Sequence, residues 1–250
     1  MSKNRIIDSH AHLKHGDAER TEYSPEAIVK VMDEVGIDRS VVFAMSTTTR
    51  RSIEMAKEAV VKFPDRLIPY VYALPNYEWR VLDEIDNALT ELDFKGIKIH
   101  AGECTLAEYV VDPVIELAGE REVPCLIDCT GDSGAIARMA SSFPRTNIIV
   151  AHLGKYLCND PRLIDRFIDL AEAHRNIYLD ISGVVIHSKI VEAVRRVGSK
   201  RVIFGTDGPN KAPDTATYAR TELENIRRLS LDQADLRSIL GESIASLLRL

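Results

Sequence analysis

Two histidines stand two residues apart near the beginning of the sequence, in IIDSHAHL at positions 6–13. The pair, His10 and His12, closes a short apolar run that predicts a β-strand. Because side chains alternate along a strand, both imidazoles would point to the same side. Paired imidazoles with a carboxylate are the ligand set of catalytic Zn²⁺ and related ions. An H-x-H pair alone is weak evidence, so its meaning depends on the residues that the rest of the chain brings to it.

Other polar side chains also follow strand-like runs. KGIKIH from position 95 ends in Lys98 and His100, and VPCLID from position 123 ends in Asp128. NIIVAHLG from position 147 contains His152, and RVIFGTDG from position 201 contains Asp207. Taken singly, His152 could be a core histidine and Asp207 could cap a turn. Their joint placement at strand ends favours a common site.

Short β-branched runs and longer segments with helical spacing alternate along the whole sequence. Most of the short runs lack apolar–polar alternation, which is typical of parallel strands covered on both faces. The runs recur at intervals of roughly 28 residues, as in β–α repeats, and begin at positions 5, 39, 67, 95, 123, 147, 176 and 201. Eight strand–helix units with an extra C-terminal helix predict an α/β protein of the (β/α)8 TIM-barrel class. No linker divides the sequence, so we expect residues 1–250 to form one domain.

Proline following a capping residue marks three helix starts. The pairs are Ser24–Pro25, Asp112–Pro113 and Asp160–Pro161. A Ser or Asp at the N-cap followed by proline at the first helical position is a favoured helix beginning. Each pair therefore predicts a helix that begins at its proline.

Composition limits the class of partner. The formal net charge is −6 and no basic run exceeds two residues, which argues against nucleic-acid binding. No segment approaches the ~18–20 apolar residues of a membrane span. The cysteines form no C-x-x-C pair and MSKNRIID is not a secretory signal, so we expect a cytoplasmic protein. The expected partner is a small-molecule substrate, with no nucleic acid and no membrane, and a homodimer remains open.

In a barrel of this class, active sites form at the carboxyl ends of the strands. We therefore expect His10, His12, His152 and Asp207 to meet at one mouth. Three other histidines lie elsewhere in the pattern. His15 in a polar loop and His174 at a helix end are interpreted as structural, and His187 follows the seventh strand, where contact with substrate is the less favoured interpretation.

The ordered strand ends resemble those of the amidohydrolase superfamily. The similar segments are IIDSHAHL, GIKIHA, VPCLID, IIVAHLG, NIYLDISG and RVIFGTDGP. The nearest branch is the amidohydrolase-2 group, which includes aminocarboxymuconate-semialdehyde decarboxylase and related carboxylate lyases and hydrolases. The resemblance covers essentially the whole chain. It implies that His10 and His12 are metal ligands, that His152 is an acid/base group, and that Asp207 is a ligand and candidate base.

Asp128 departs from the family pattern, which has a histidine ligand on the fifth strand. A carboxylate can still bind a metal, with more hard-oxygen character; alternatively the site is weakened or lost. We expect one divalent ion, zinc first and manganese as the alternative, held by His10, His12 and Asp207. Asp128 is the candidate fourth ligand.

The leading hypothesis is a metal-dependent hydrolase that acts on a small organic substrate, carboxylated or cyclic, through a metal-activated water. Asp207 or His152 would take the proton. The same strand ends fit a metal-dependent non-oxidative decarboxylase. A barrel that has lost catalysis and only binds a ligand is the third alternative, and Asp128 is the feature that supports it.

Substrate contacts are less well defined by the sequence. Lys98 and His100 are expected to line the floor of the site, where Lys98 would neutralise a substrate carboxylate or pair with Asp128. Arg50 and Arg51 follow the second strand and are candidate anchors for a carboxylate or phosphate, although a solvated helix start explains them as well. Aromatic residues in the βα segments would contact an organic ring or pack within the protein: Tyr77, Trp79 and Tyr156.

Overall fold

The computed structural model describes residues 5–75 and 80–250. Its strands lie in chain order, and each hydrogen-bonded pair of neighbours is parallel. This arrangement confirms the predicted α/β barrel. The strands are β1 (Ile7–Lys14), β2 (Arg39–Ala44), β3 (Leu67–Pro69), β4 (Val71–Tyr72), β5 (Ile97–His100), β6 (Cys125–Asp128), β7 (Ile148–Val150), β8 (Ile177–Asp180) and β9 (Val202–Ile203).

The third predicted strand is divided at Tyr70 into β3 and β4. The backbone continues across the division, because Tyr70 N donates to Val42 O at 3.0 Å and Val71 N donates to Gly96 O at 2.9 Å. The Tyr70 ring lies against Gly96, where an added Cβ would come within 2.4 Å of it. The third barrel position is therefore built from two short strands joined by one residue.

The ring of strands closes between β1 and the segment that follows β9. Three backbone hydrogen bonds join them: Ser9 N to Phe204 O at 3.0 Å, Asp207 N to His10 O at 2.8 Å, and His12 N to Gly208 O at 2.7 Å. The closure therefore brings the first and last predicted strand ends side by side.

The side chain of Asp8 reinforces this closure. Its Oδ1 accepts from Thr206 N at 2.9 Å and from His10 N at 3.0 Å, and its Oδ2 accepts from Thr206 Oγ1 at 2.6 Å. All three groups are buried. Asp8 thus links the first strand to the chain beyond the last one.

Both faces of the strands are buried, in agreement with their near-continuous apolar character. Along β2, Val41 and Phe43 belong to the cluster inside the barrel. Val42 and Ala44 belong to the cluster between the strands and the helices. The period of two thus separates an inner core from an outer one.

Helices follow most strands and cover the outside of the barrel. None of the described helices is long and apolar enough to cross a membrane. They are α1 (Pro25–Val35), α2 (Thr49–Lys62), α3 (Val81–Glu91), α4 (Glu108–Glu120), α5 (Ser133–Ser142), α6 (Pro161–Ala173), α7 (His187–Val197), α8 (Thr215–Arg227), α9 (Gln233–Arg237) and α10 (Ser243–Leu248).

Two of the three predicted helix starts are confirmed. Ser24 caps α1 and Asp160 caps α6, and proline occupies the first turn of both. The prediction at Asp112–Pro113 was wrong, because α4 begins at Glu108 and Pro113 lies inside it. Asp112 instead binds Arg138 Nη1 with both carboxylate oxygens, at 2.5 and 2.7 Å.

The predicted C-terminal helix is divided into α9, a π-helical turn at Ser238–Glu242, and α10. From α10, Ile244 and Leu248 pack into the inner core with Ile7, the first residue of β1, and with Ile203 of the two-residue strand β9. This helix therefore covers the end of the barrel opposite to His12 and Asp207.

Candidate metal centre and active site

The end of β1 and the segment after β9 bring His10, His12 and Asp207 together. Asp207 Oδ1 lies 2.9 Å from His12 Nε2 and 3.1 Å from His10 Nε2. The three donor atoms lie within 4.8 Å of one another, as the ligands of one ion must. The structure thus groups a pair of neighbouring histidines with an aspartate that lies 195 positions beyond His12 in the chain.

The protonation of these residues suits a divalent ion. Burial lowers the pKa of His10 and of His12, which favours neutral imidazoles. Burial alone would raise the pKa of Asp207, but the surrounding histidines hold it well below its usual range. Metal ligands must be deprotonated, and two neutral imidazoles with a carboxylate meet that requirement. In addition, the buried His12 Nδ1 has no hydrogen-bond partner, so Nε2 is the nitrogen that the site uses.

Asp180 at the end of β8 contacts the nitrogen of His10 that faces away from Asp207. The sequence pattern did not predict this contact. Asp180 Oδ1 lies 3.5 Å from His10 Nδ1, and Ser182 Oγ lies 3.3 Å from the same nitrogen. A proton on Nδ1 leaves the Nε2 lone pair facing Asp207. A carboxylate behind a metal-binding histidine fixes the tautomer in this way. His10, His152 and Asp180 also form a second group of donors within 4.8 Å of one another.

His152 stands beside His10 on a left-handed turn that follows β7. Its φ is 59°, and Leu153 and Gly154 follow with φ values of 48° and 104°. The ring stacks on His10 with 5.0 Å between centroids, and Nδ1 lies 2.9 Å from Ser182 O. Burial opposes protonation, but nearby carboxylates, Asp207 foremost, outweigh it and raise the pKa of His152 to about 9. A protonated imidazole therefore faces the site at neutral pH.

The structure does not bring Asp128 into the donor group of His10, His12 and Asp207. Its Oδ2 lies 3.1 Å from His100 Nε2 and 3.4 Å from His152 Nε2. Burial alone would raise the pKa of Asp128, but the hydrogen bonds to these two imidazoles hold it well below its usual range. Asp128 therefore bridges two histidines.

Lys98 is fully buried on the floor of the site. Its Nζ lies 3.1 Å from His10 Nε2 and 5.2 Å from the centre of the Phe43 ring. Burial lowers the pKa of Lys98, while Asp128, Asp207 and Asp180 favour its charged form. Among the residues that the structure describes, no carboxylate oxygen lies within ion-pairing distance of Nζ.

Comparison with known proteins identifies the family. The sequence model of a family described as amidohydrolase matches residues 7–250. The chain belongs to this amidohydrolase family. The resemblance seen in the ordered strand ends is thereby confirmed. No curated protein sequence matches the chain.

Solved structures of several enzymes share the fold of this chain. A 5-carboxyvanillate decarboxylase from Sphingomonas paucimobilis is 15% identical, with a TM-score of 0.77 over 99% of this chain and 100% of its own. A dihydroxybenzoic acid decarboxylase from a Polaromonas species, with bound manganese and 2-nitroresorcinol, is 17% identical, with a TM-score of 0.72 over 99% of this chain and 98% of its own. A 4-oxalomesaconate hydratase from Rhodopseudomonas palustris is 17% identical, with a TM-score of 0.71 over 98% of this chain and 95% of its own. At these identities the likeness establishes the fold alone.

The site opens into a cavity of about 530 Å³. The interpretation of His15 as a structural loop residue stays a prediction. His15 lines the cavity, stacks on His12 with 4.2 Å between ring centroids, and has its Nε2 2.6 Å from Pro209 O. Lys155 also lines the cavity and was not singled out, because an exposed lysine after a glycine carries no distinctive pattern.

Other candidate substrate contacts fall in different places. Arg50 and Arg51 begin α2 outside the cavity, where Arg50 Nε donates to Glu84 at 2.9 Å and Arg51 Nη1 donates to Glu54 at 3.1 Å. The structure does not bring them to the cluster, because their side chains pair along the helical surface. His187 begins α7. Tyr156 lines the cavity, whereas Tyr77 and Trp79 lie outside the described residues.

A glycine supports the wall formed by Tyr156. Gly183 follows Ser182 with φ 61°, and a Cβ added there would come within 2.3 Å of the Tyr156 ring. Gly183 N donates to Glu222 Oε2 of α8 at 3.1 Å. This turn also supplies the Ser182 carbonyl that orients His152. An outer helix is therefore connected to the candidate site through a single turn.

Proposed function

We propose that this protein is a metal-dependent carboxy-lyase that removes CO₂ from a small organic carboxylate. The observation that carries the proposal is the buried Lys98, whose Nζ stands 3.1 Å from His10 Nε2. The solved neighbours named as decarboxylases support the same choice. The residues that line the cavity are those expected for an acidic substrate, since Lys98 and His152 both favour an anion.

A buried ammonium is costly unless an anion accompanies it. A divalent ion held by His10, His12 and Asp207 would add positive charge next to Lys98. A substrate carboxylate offsets part of this positive charge, whereas a neutral amide or ester offsets none of it. The group that reacts would then be the carboxylate itself, and its reaction at this position is loss of CO₂.

His10, His12 and Asp207 would hold the ion, with Asp180 fixing the tautomer of His10. When bound, the ion supplies positive charge that orients substrate oxygens and stabilises developing negative charge. The bond between the carboxyl group and its neighbouring carbon breaks, and the electron pair stays on that carbon. His152 would deliver the proton from Nε2 to the carbon, so that a C–H bond replaces the C–C bond. Its Nδ1 remains bonded to Ser182 O, which keeps Nε2 directed at the cavity.

Hydrolysis is the second candidate, and one observation favours it. The Asp207 side chain is 17% exposed, whereas His10 is fully buried, so water reaches the carboxylate of the donor group. An activated water there could attack an amide or ester, with Asp207 taking its proton. The third alternative, a barrel that has lost catalysis and only binds a ligand, depended on Asp128 at the position of a family ligand. The donor group of His10, His12 and Asp207 does not require Asp128, so we do not propose it.

Metal content is the first test. Protein purified without chelator should hold about one divalent ion per chain, with zinc or manganese the expected ion. Asp207→Asn should lower the affinity by about 10- to 100-fold, and Asp17→Asn, at the cavity wall outside the donor group, is the matched control. Content well below ~0.2 equivalents, not restored by added Zn²⁺ or Mn²⁺, would remove the metal from the proposal.

Product analysis is the second test. The metal-loaded protein is incubated with 2,6-dihydroxybenzoate and 5-carboxyvanillate, and with amides and esters of the same acids. Carbon dioxide release that stops on chelation and in Lys98→Met supports the carboxy-lyase. Cleavage of an amide or ester without CO₂ would replace it with the hydrolase.

A further inference from the structure

We propose that Lys155 binds a second acidic group of the substrate, away from the group that reacts, so that the preferred substrate is a dianion. The inference rests on the proposed function, because it assumes that the first carboxylate lies at the floor of the site beside Lys98. Lys155 then determines which carboxylates bind well. It takes no part in the chemical step.

The backbone fixes the position of Lys155. It directly follows the left-handed turn that carries His152, and its N–H donates to His152 O at 3.2 Å. Gly131 N donates to Gly154 O at 2.8 Å and ties this turn to the loop after β6. The stem of Lys155 lies along that loop, because its Cδ is 3.7 Å from the position that a Cβ on Gly131 would take. The lysine is therefore held on the cavity wall close to the proposed proton donor.

The ammonium group of Lys155 is available for a ligand. Three lysines line the cavity. Lys98 is buried beside His10, and Lys211 pairs with Glu19 at 2.7 Å. Within residues 5–75 and 80–250, no carboxylate oxygen lies within ion-pairing distance of the Lys155 ammonium. Lys155 thus differs from Lys211 in having no ion pair with a described side chain, and from Lys98 in being exposed to the cavity and solvent.

The carboxylates of the cavity are already engaged. Asp128 lies between two imidazoles and Asp207 faces His10 and His12. Asp17 accepts from Thr21 N at 2.8 Å in its own loop. With an ion in place and Lys98 on the floor, a monoanion neutralises only part of the positive charge. A second acidic group placed at Lys155 completes the balance with a charge-assisted hydrogen bond.

Binding measurements separate this role from that of an ordinary solvated lysine. Benzoate, isophthalate and terephthalate are titrated calorimetrically into Zn²⁺-loaded wild type, Lys155→Gln, Lys155→Arg and Lys211→Gln. The two dicarboxylates cover two spacings between acidic groups. Lys155 is exposed, so the variants should keep the wild-type melting temperature, and a melting curve is recorded for each.

We expect wild type to bind one of the dicarboxylates more tightly than benzoate. Lys155→Gln should weaken that dicarboxylate by about tenfold, with benzoate changed by less than about twofold. Lys155→Arg should retain most of the preference, and Lys211→Gln should affect all three acids alike.

Two results would overturn the inference. If Lys155→Gln lowers the affinity for benzoate and for the dicarboxylates by the same factor, Lys155 does not bind a second acidic group. The carboxy-lyase proposal is unaffected by that result. The same conclusion follows if wild type binds neither dicarboxylate more tightly than benzoate. If wild type binds none of the three acids, the site does not accept carboxylates, and both the inference and the proposed function fail.

Discussion

The carboxylate of Asp128 stands between His100 and His152, with Oδ2 at 3.1 and 3.4 Å from their Nε2 atoms. The family pattern suggested a metal ligand at this position. The observed contacts instead give Asp128 an electrostatic role, because an anion beside His152 favours the imidazolium. The residue therefore affects when His152 holds its proton.

Substitution of Asp128 tests this role. Asp128→Ala should leave the metal affinity within about threefold of wild type, since outer groups have small effects compared with direct ligands. The pKa of His152 should fall from about 9, because one of the carboxylates that raise it is gone. With a lower pKa, His152 loses its proton at a lower pH. The alkaline limb of the activity profile should therefore move to lower pH. NMR titration of the imidazole and the pH–rate profile provide the measurement. A loss of metal affinity of tenfold or more would instead identify Asp128 as a ligand.

At the residue scale, the sequence predicted which histidines converge but not how their neighbours engage them. His10, His12 and His152 were placed by strand periodicity, which is a local property. The contact of Asp180 with His10 and the position of Lys155 at the cavity depend on how distant segments pack across the barrel. The sequence pattern within a single segment does not predict such packing. The contacts of His15 could not be predicted for the same reason, since its stacking on His12 depends on the path of a loop.

At the scale of the elements, the turn after β7 requires glycine at position 154, because of the backbone conformation there and the closeness of a neighbouring ring. Gly154 has φ 104°, and an added Cβ would come within 2.0 Å of the Phe167 ring in α6. Gly154→Ala should therefore destabilise the protein by about 3 kcal/mol or more. Gly198→Ala is the matched control, because Gly198 has φ 86° with no atom within 4 Å of its added Cβ. The control should cost only about 1 kcal/mol of backbone strain. Urea unfolding of both variants gives the difference, and equal losses would mean that the contact with Phe167 relaxes freely.

Helix α8 contributes a half-buried carboxyl group, that of Glu222. Burial foremost, together with Asp207 and Asp180, raises the pKa of Glu222 to about 7 from its ordinary 4.5. Between these values the folded protein holds a proton that the unfolded chain has lost, so stability falls as the pH rises from 4.5 to 7.

Glu222→Gln should remove this pH dependence while keeping an acceptor for Gly183 N. Relative to wild type, the variant should gain about 1–3 kcal/mol between pH 5 and pH 8. Unfolding free energies at the two pH values are the measurement. Glu224→Gln, on the same helix in a surface pair with Arg228, should show no such gain. If the unfolding free energies of Glu222→Gln and wild type differ by the same amount at both pH values, the pKa of Glu222 is not raised in the folded protein.

Periodicity predicted the order and type of the elements well, because strands buried on both faces and amphipathic helices have different patterns. The exceptions have local physical causes. The break at Tyr70 accommodates a large ring against Gly96, and the π-helical turn at Ser238–Glu242 interrupts a segment whose helical spacing is continuous. Pro113 is tolerated inside α4 despite its missing N–H, so the proline was a poor marker of where that helix begins.

At the scale of the whole molecule, the barrel is closed where its first and last strands meet, and Asp8 is the side chain that spans the seam. Asp8→Ala would leave the N–H groups of His10 and Thr206 without their acceptor in a buried setting. We expect a loss of about 2–4 kcal/mol. Asp132→Ala, which removes an exposed helix cap that accepts from Ala135 N, should cost about 1 kcal/mol. Hydrogen exchange should show faster exchange at Thr206 N in the first variant only, and protection equal to wild type would mean that the backbone ladder closes the barrel unaided.

The separation of His12 and Asp207 by 195 positions in the chain has a consequence for the order of folding. Contacts between such distant residues form late, because a long loop must be closed before they yield any stabilisation. A partly folded chain that lacks the seam presents a histidine pair without its carboxylate and has little affinity for an ion. Metal binding therefore indicates that the ring of strands has closed. A bound ion would stabilise the closed barrel relative to the open one, and this stabilisation would increase with the concentration of free ion. The last step of folding would then depend reversibly on the metal.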